Sequence, residues 1–509
     1  MKNIIYFGVK TGGLSVDVIE YLENKLNLKP KLLVGEFTNQ ELTRCKKKNY
    51  EFLQLTDAFL NKKKFKTTVP LNLKRFIKKY RKIYEPMCAR FEFNKNNFNE
   101  KDINQYVNTA IINWNSIIKK KKIDLIIFLD SPHRIYDYIT FLICKFYKIP
   151  TLFFRDPNFN GKMLMECDLE SSPSGVAQKS KKNINLQKLK QNLQKINNVH
   201  FKKISKNKPY FNLEKIKKRL KNDHNIQSYE DISYSNFIIN YLFGKLHPIT
   251  KLPFKILKFK HEWRLAKGYE YLYWLLKATL KTLFLKIVYN YNSTNRLPKK
   301  YILFAMSYQP EATSYPDAGL FHNQHELILK ISKTVKSNTT ILVKEHPMQL
   351  NLLGAFNYKN PQIREINIYN KLKKNKNIIF LSQKYNMNEA IKNAEYTITV
   401  NGSVALQSVI NGTPVLTFGH AWYVGCESIY KLKHVNNIKK YLNSKKLKVV
   451  NQNKLNNYIS CLNKVGIFLW FKKFHKNIYP YNGITNIMNK ENIKKIIKRD
   501  FKYFYKKNI

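Results

Sequence analysis

The sequence predicts an α/β protein of two domains that are joined by a helical middle segment. Apolar runs of strand length alternate with helical patterns over residues 1–170, and the same alternation returns from residue 299 to about 420. The residues between them are rich in Lys, Asn and Gln and lose this alternation. A chain of 509 residues is long enough for two to four domains.

The elements of the first domain follow the order of a parallel sheet. The apolar run Ile4–Phe7 leads into a Gly-rich turn, and a helical pattern covers Val16–Leu26. A second strand is predicted over Ile123–Leu129, a helix over Tyr136–Phe146 and a further strand over Lys148–Phe154. Strand, helix and strand at this spacing form the βαβ unit of a parallel sheet.

The middle segment, residues 171–298, is predicted as a Lys-rich helical insertion or linker. Its last part is strongly apolar with interspersed Lys. On a helical wheel Lys277 and Lys281 share a face, whereas Lys286 falls nearly opposite. Two interpretations stay open: a helix packed on protein between the domains, or a helix that lies on a membrane surface.

The second domain, residues 299–450, returns to α/β alternation. Its strands are predicted over Tyr301–Met306, Thr340–Lys344, Ile378–Leu381, Tyr396–Val400 and Val415–Phe418. Residues 451–509 are predicted to be C-terminal helices. In such an architecture a ligand binds between the two domains, beyond the carboxyl ends of the strands.

The net charge of +57 decides less than its size suggests. Only 11 of the 91 basic residues are Arg, and the others are Lys. Nucleic-acid sites favour Arg, because its planar guanidinium binds bases and phosphates with two hydrogen bonds. We therefore interpret the Lys excess as compositional background, and a basic nucleic-acid-binding protein stays as an alternative of another class.

The six Cys are widely scattered and include no CxxC pair, which fits neither a disulfide scaffold nor a structural zinc site. No metal is expected. No apolar run approaches the length of about 18 residues that spans a membrane, and no signal-peptide pattern is present. We expect a cytoplasmic protein, with the inner face of the cytoplasmic membrane as a possible partner.

The most informative segment follows the strand that ends at Val400. Asn401 and Gly402 form a turn, Ser403 is placed to cap a helix, and Gly412 ends that helix. A helix start with free backbone N–H groups, a hydroxyl and the positive end of the helix dipole is an arrangement that binds phosphate. An ordinary capped turn is the alternative.

A second cluster, Lys344, Glu345, His346 and Pro347, stands at the end of an apolar strand. Lys344 and His346 are candidates to counter the charge of a phosphate leaving group, and Glu345 is a candidate to orient the imidazole. A His-Pro dipeptide alone is weak support. Its weight comes from its position at the same sheet edge as the Gly402 turn.

Two further carboxylates follow strands and complete the predicted catalytic set with Glu345. Glu311 lies in the segment Ser307–Thr313, directly after a strand, where it can act as a base or hold a sugar hydroxyl. Asp130, with His133 close behind, takes the equivalent position in the first domain and is a candidate acid, base or nucleophile.

These three clusters of the second domain, in this order, resemble the capsule polysaccharide biosynthesis family, which includes the 3-deoxy-manno-octulosonate (Kdo) transferases of capsule export. The matching stretches are Tyr308–Thr313, Val343–Pro347, Asn401–Ser403 and Gly412–Tyr423. Residues 131–133 and 148–150 also fit the first half of that family. The family often has Glu where this chain has Gln407, so an acid at that position is not expected to act here.

The resemblance implies a GT-B-like fold, in which two Rossmann-like domains face a cleft. It also implies transfer of a sugar from a nucleotide donor, with CMP-Kdo as the family's known donor. By resemblance, His346 and Pro347 bind the cytidylate phosphate and Ser403 lies beside it. Lys344, Asn401 and Gly402 complete the donor-binding residues that we predict.

The predicted function is therefore a glycosyltransferase of capsule or surface polysaccharide biosynthesis. The second domain would hold a CMP-linked donor, and the first a lipid-linked or glycan acceptor. No cofactor is expected, because basic groups and helix dipoles can stabilise the departing phosphate without a metal. A CDP-glycerol-type glycerophosphotransferase, a UDP-sugar glycosyltransferase and a noncatalytic envelope scaffold remain as alternatives.

Overall fold

The computed structural model describes most of the two α/β domains. The described residues are 1–10, 14–59, 65, 67–90, 100–159, 162–169, 268–309, 311, 313–336, 338–350, 364–442, 450–465, 467–468, 490–491, 493–495 and 497–498. Of the predicted helical insertion, residues 171–267 lie outside them.

Fourteen strands are described. Numbered along the chain, they are β1 (Lys2–Val9), β2 (Leu28–Gly35), β3 (Phe52–Gln54), β4 (Leu125–Phe128), β5 (Thr151–Phe159), β6 (Lys162–Glu166), β7 (Ser293–Thr294), β8 (Tyr301–Ala305), β9 (Thr340–Lys344), β10 (Ile378–Leu381), β11 (Thr397–Thr399), β12 (Val415–Thr417), β13 (Ile429–Lys431) and β14 (Ile467–Phe468).

The described α-helices number fourteen as well. They are α1 (Val16–Leu26), α2 (Asn39–Lys47), α3 (Leu55–Phe59), α4 (Leu71–Lys78), α5 (Arg81–Tyr84), α6 (Glu100–Lys120), α7 (Ile135–Tyr147), α8 (Gly268–Asn292), α9 (Gln324–Thr334), α10 (Ile368–Lys373), α11 (Met387–Lys392), α12 (Val404–Ile410), α13 (Ile438–Leu442) and α14 (Gln452–Val465).

The strands form two sheets, as the sequence predicts. The first has the order β14-β6-β5-β4-β1-β2-β3, and the second has the order β13-β12-β11-β8-β9-β10-β7. Strands β1 to β5 pair in parallel, and so do all the strands of the second sheet. In each sheet the chain first adds strands on one side and then returns to the other. The prediction of two Rossmann-like α/β units is confirmed.

The first sheet is buried on both faces. Ile5 and Phe7 of β1 pack into one hydrophobic cluster with α6 and α7, while Ile4 and Tyr6 pack into another with α1. Successive side chains of a strand point to opposite faces, so a strand that is covered on both sides reads as a continuous apolar run. This arrangement explains why the unbroken run at residues 4–7 predicts a parallel sheet.

Helix α1 shows how local sequence sets the element boundaries. The hydroxyl of Ser15 accepts a hydrogen bond from the Val18 N–H, which satisfies one free donor at the helix start. Asn27 ends the helix with φ 55°, a left-handed conformation that Asn adopts more readily than most residues. The observed bounds, Val16–Leu26, are those predicted from the sequence.

Described residues of the C-terminal segment return to the first domain. β14 pairs antiparallel with β6, and Ile493 and Ile497 pack into the hydrophobic cluster beside α1. The prediction that residues 451–509 form helices is thus incomplete, because a two-residue strand in this segment extends the first sheet. A run so short carries no period that a sequence pattern could reveal.

The described part of the chain holds no helix that combines the length and the apolar character needed to cross a membrane.

Candidate active site

Three loops of the second domain meet at one edge of its sheet. They follow β8, β9 and β11, which are neighbours in the order β11-β8-β9, and they carry the three predicted clusters. The chain adds β9 on one side of β8 and returns to place β11 on the other side. Open α/β sheets bind ligands at such a reversal of strand order, beyond the carboxyl ends of the strands.

A fully buried arginine ties two of these loops together. Arg364 is 0% exposed and forms two hydrogen bonds with the Glu345 carboxylate, Nε to Oε2 at 3.0 Å and Nη2 to Oε1 at 3.0 Å. Its Nη1 donates to the side-chain oxygen of Gln309, and Tyr369 donates to Glu345 Oε2 at 2.8 Å. Because the charges are paired and hydrogen-bonded, this cluster holds the β8 and β9 loops in one geometry.

Glu345, which the sequence predicts as a catalytic residue, is a buried carboxylate in the structure. It is 1% exposed, and its Oε1 accepts the backbone N–H of His346 at 2.9 Å. Lys344 is also buried, and its ammonium donates to the Tyr385 carbonyl oxygen. The ammonium is therefore engaged inside the domain, although the sequence predicts that it faces a phosphate.

His346 is the member of this cluster that reaches the surface of the strand-end edge. Its ring is half-buried, 5.5 Å from the Tyr308 ring between centroids, and Pro347 beside it is also half-buried. The His346 carbonyl accepts the Gln349 N–H at 2.9 Å, which begins a short 3₁₀ turn. Backbone contacts therefore fix where the imidazole sits.

The turn after β11 lies beside these loops. The Asn401 side chain donates to the Thr313 carbonyl at 2.7 Å, and the Gly402 N–H donates to the Thr399 hydroxyl at 3.2 Å. A Cβ on Gly402 would come within 2.8 Å of that hydroxyl oxygen, so the turn needs glycine. Ser403 occupies the predicted cap position of α12.

Ser403 occupies the N-cap position, as predicted, but its side chain does not cap the helix. The hydroxyl makes no capping hydrogen bond, because the residue already has helical φ and ψ of −58° and −17°. Helix α12 is seven residues long. The half-buried Gly402 and Ser403 remain at the same edge as His346.

Glu311 is exposed and stands in the loop between β8 and α9. Its carboxylate accepts a hydrogen bond from the Thr313 hydroxyl at 3.1 Å, and its backbone binds Ser314. Farther along this loop, Tyr315 packs into the hydrophobic cluster of the first domain. The loop that carries Glu311 therefore spans both domains.

The first domain has a pocket of about 100 Å³ at the reversal of its own strand order, between β1 and β4. Gly8, Glu36, Asp130, His133 and Arg134 are among its lining residues. Asp130 is exposed at the end of β4, where its Oδ1 accepts the Ser131 N–H at 2.8 Å. This pocket brings together a carboxylate, an imidazole and a guanidinium.

The His133 ring has a defined hydrogen-bonding partner. Its Nδ1 lies 2.6 Å from the Ser131 carbonyl oxygen, which can only accept, so Nδ1 carries the proton. In the neutral ring Nε2 then keeps its lone pair. His133 joins Asp130 as a group that can take a proton in this pocket.

The two domains meet in a buried charge network beside this pocket. Arg155 of β5 binds Asp317 with Nη1 to Oδ2 at 2.6 Å, and binds Glu166 of β6 with Nη2 to Oε2 at 3.0 Å. The same guanidinium donates to the His420 carbonyl at 3.1 Å, and Ser131 donates to Asp317 at 3.4 Å. The carboxyl edges of the two sheets therefore face each other.

This network holds two carboxylates against one guanidinium, and burial raises the pKa of both acids. The pKa of Glu166 rises to about 7 and that of Asp317 to about 6, with Arg155 opposing the shift in each case. Burial and the nearby Lys431 lower the pKa of His420 to about 4, so this ring stays neutral at the same interface. The interface therefore favours a proton bound to these carboxyls near neutral pH.

We predict that Glu166 and Asp317 contribute stability that falls as the pH rises from about 4 to 7, whereas the lowered pKa of His420 makes a contribution of the opposite sign. A carboxyl with a raised folded-state pKa contributes stability that is fully present below its unfolded pKa and is lost as pH rises through the folded pKa. Replacing Glu166 with Gln should flatten this fall by on the order of 2 kcal/mol in the free energy of unfolding. Denaturant titrations at several pH values measure it.

The matched control is Glu395→Gln, which removes a carboxylate paired with Lys300 at the surface. Its stability curve should run parallel to that of the unmodified protein. A Glu166→Gln curve that also runs parallel would show that no proton binds at the interface in this range.

The match to a known family lies mostly in the second domain. Residues 278–455 match the family model described as capsule polysaccharide biosynthesis protein. The match covers 178 of the 509 residues and makes this part of the chain similar to that family. It confirms the resemblance predicted from the motifs, and it contains all three loops at the strand-end edge. The pocket around Asp130 and the β5–β6 half of the interface lie outside the matched residues.

Three solved structures resemble the whole chain weakly. UDP-GlcNAc 2-epimerase of Methanocaldococcus jannaschii is 14% identical, with 92% of this chain and 100% of that chain covered and a TM-score of 0.22. The β-Kdo 2,7-transferase KpsC of Thermosulfurimonas dismutans is 10% identical, with 91% and 89% covered and a TM-score of 0.29. Anabaena HepE, solved with UDP and glucose, is 10% identical, with 94% and 99% covered and a TM-score of 0.24.

TM-scores this low give these likenesses no weight for the activity. No curated protein sequence matches the chain. Within the described residues, no three His, Cys, Asp or Glu side chains group closely enough to hold a metal ion. That transfer needs neither a metal nor a cofactor stays a prediction.

Sequence reasoning missed the two arginines that organise the strand-end loops and the interface between the domains. Arg364 belongs to none of the predicted motifs, and Arg155 lies inside β5. A signal was available, because Arg is rare in a chain that uses Lys for most of its positive charge. Where Arg is kept, bidentate geometry is a reason to keep it. Arg155 and Arg364 both form buried bidentate pairs.

Proposed function

We propose that this protein is a glycosyltransferase of capsule or surface polysaccharide biosynthesis, and that it transfers a Kdo-like sugar from a CMP-activated donor to a lipid-linked or glycan acceptor. The observation that carries the proposal is the meeting of the three motif loops at the strand-order reversal of a capsule polysaccharide biosynthesis domain. Opposite this edge lies the first domain's pocket, which holds groups able to take a proton.

The donor phosphate is assigned to the edge formed by His346, Pro347 and the Gly402-Ser403 turn. The imidazole is accessible there, and the glycine lets a ligand approach the backbone closely. The Lys344 ammonium is turned away into the domain, so the imidazole carries most of the stabilisation of the departing phosphate. Asn401 contributes indirectly, because it anchors the Glu311 loop through the Thr313 carbonyl.

The acceptor is assigned to the pocket of the first domain. Asp130, or His133 through Nε2, removes the proton of the acceptor hydroxyl. The hydroxyl oxygen then attacks the anomeric carbon of the donor sugar, and the bond from that carbon to the phosphate oxygen breaks. The nucleotide leaves with its electron pair, and Glu311, on the loop that touches both domains, is placed to bind a sugar hydroxyl.

Donor cleavage by the purified protein tests this proposal. CMP-Kdo, CDP-glycerol and a UDP-sugar are supplied in parallel with and without a glycan acceptor. Cleavage of CMP-Kdo in the presence of acceptor supports the proposal. Cleavage restricted to CDP-glycerol or to the UDP-sugar would reassign the donor, and no cleavage of any of them would favour a noncatalytic scaffold.

Replacing His346 with Ala should lower the rate of donor cleavage by about a hundredfold or more, because the group nearest the departing charge is lost. His434→Ala is the matched control, since His434 is exposed and forms no helix-capping hydrogen bond. Its rate should equal that of the unmodified protein. Equal rates for both variants would remove His346 from the donor site.

A further inference from the structure

Helix α8 has an apolar stripe on its exposed face. Leu280, Phe284, Ile287 and Tyr291 are each between 48% and 86% exposed and are spaced four, three and four residues apart. This spacing places them on one face of the helix, over a length of about 16 Å. Half of the eight large apolar residues that are exposed in the described part of the chain belong to this stripe.

The opposite face of α8 packs on the second domain and fixes the stripe outward. Thr282, Leu285 and Tyr289 are buried there. The Tyr289 hydroxyl donates to the Leu381 carbonyl at 2.7 Å and accepts the Glu345 N–H at 3.0 Å. The helix therefore cannot rotate its apolar stripe inward without breaking bonds to the ends of β9 and β10. Scattered exposed apolar residues are ordinary, whereas a continuous row marks a docking surface.

We propose that the apolar stripe of α8 docks the protein onto the headgroup region of an anionic lipid surface. Lys277 is exposed at one end of the same face, and Lys281 and Lys286 lie on the two flanks of the helix. An apolar row bordered by Lys, with Phe and Tyr in the row, is the pattern of helices that lie in a membrane interface. The net charge of +57 attracts the chain to anionic lipid over a longer range.

The same charge argues against a second copy of the chain as the occupant. Two molecules that each carry +57 repel each other, and no acidic residue interrupts the described helix from Lys277 to Asn292 to offset this. The proposal is independent of the proposed glycosyl transfer, and either can fail without the other.

Cosedimentation of the full chain with vesicles tests the proposal. One set of vesicles is phosphatidylcholine alone, and the other is an equal mixture of phosphatidylcholine and phosphatidylglycerol. The triple variant Leu280→Gln, Phe284→Gln, Ile287→Gln removes three of the four apolar side chains of the stripe and keeps every Lys. The control variant Leu71→Gln, Leu320→Gln removes two apolar side chains that are 62% and 65% exposed at separate sites.

The unmodified protein and the control should bind the anionic vesicles. The affinity of the triple variant for them should be lower by about tenfold or more, at an unchanged melting temperature. Equal binding by the triple variant would overturn the proposal, because Lys charge alone would then explain the binding. A lower melting temperature confined to the triple variant would show that the chain itself covers the stripe. A dimer in sedimentation velocity that the triple variant loses would assign the stripe to a second copy.

Discussion

Replacing Arg364 with Met is expected to lower the free energy of unfolding by about 3–5 kcal/mol, the largest effect on stability that we predict. The cost arises from the partner that stays behind. Glu345 is almost completely buried, and among the described residues its carboxylate keeps the Tyr369 hydroxyl and the His346 N–H as partners when the guanidinium is removed. A buried carboxylate without a cationic partner has lost its hydration and has no ion pair to offset that loss. Denaturant titration measures the change.

The double variant Glu345→Gln, Arg364→Met removes both charges and separates this explanation from a simple loss of volume. Its cost should be smaller than that of Arg364→Met alone, because no buried charge is left unpaired. Arg44→Met is the matched surface control, since Arg44 pairs with Asp17 and Glu20 while 42% of its side chain is exposed. It should cost under about 1 kcal/mol.

If Arg364→Met lowers the free energy of unfolding no more than Arg44→Met does, the buried pair does not stabilise the second domain as we infer. The β8 and β9 loops would then not depend on the buried pair. The position of His346 would need another explanation, because Glu345 binds its backbone N–H.

Replacing Asp130 with Asn should reduce kcat for sugar transfer by about a hundredfold to ten-thousandfold, while the fold stays intact. The amide keeps an oxygen that can accept the Ser131 N–H, as Oδ1 now does at 2.8 Å, and the side chain is exposed, so little stability is at risk. What the amide loses is the ability to take the proton of the acceptor hydroxyl. The measurement is the transfer rate at saturating donor and acceptor.

Asp124→Asn is the control for this experiment. Asp124 is also exposed, but it precedes β4 and binds the Asn3 N–H at the opposite edge of the sheet. Its transfer rate should be unchanged. A rate for Asp130→Asn within threefold of the unmodified protein, together with a large loss for His133→Asn, would assign the proton transfer to His133.

The sequence predicted eight of the fourteen described strands, β1, β4, β5 and β8 to β12, because their signals are local. Unbroken apolar runs marked β1 and β4, and the capped pattern of α1 set its two ends. Strand ends in a parallel sheet share one edge, so the proximity of the three motif loops also followed from the strand assignment.

The roles of single residues were harder to predict, because they depend on partners far away in the chain. Glu345 and Gln309 look free in their motifs, yet Arg364 reaches both from 19 and 55 residues away. The ammonium of Lys344 binds a carbonyl 41 residues farther on. Nothing within a motif of six residues can indicate such contacts.

The residues that join the two domains could not be predicted from the sequence for the same reason. Arg155 and Asp317 belong to different domains and are separated by 162 residues. Pairing at this distance is set by how two finished sheets pack against each other. An isolated Arg in a Lys-rich chain was the available hint.

A crystal structure of the protein soaked with CMP tests the assignment of the donor phosphate to the second domain. We predict that the phosphate lies against His346 and the Gly402-Ser403 turn, at the edge that faces the first domain. A nucleotide bound in the pocket around Asp130 would show that the first domain holds the donor, and the acceptor would then be assigned to the second domain. A map with no nucleotide at the edge of the second domain, at a concentration that saturates binding in solution, would contradict the assignment of the donor site.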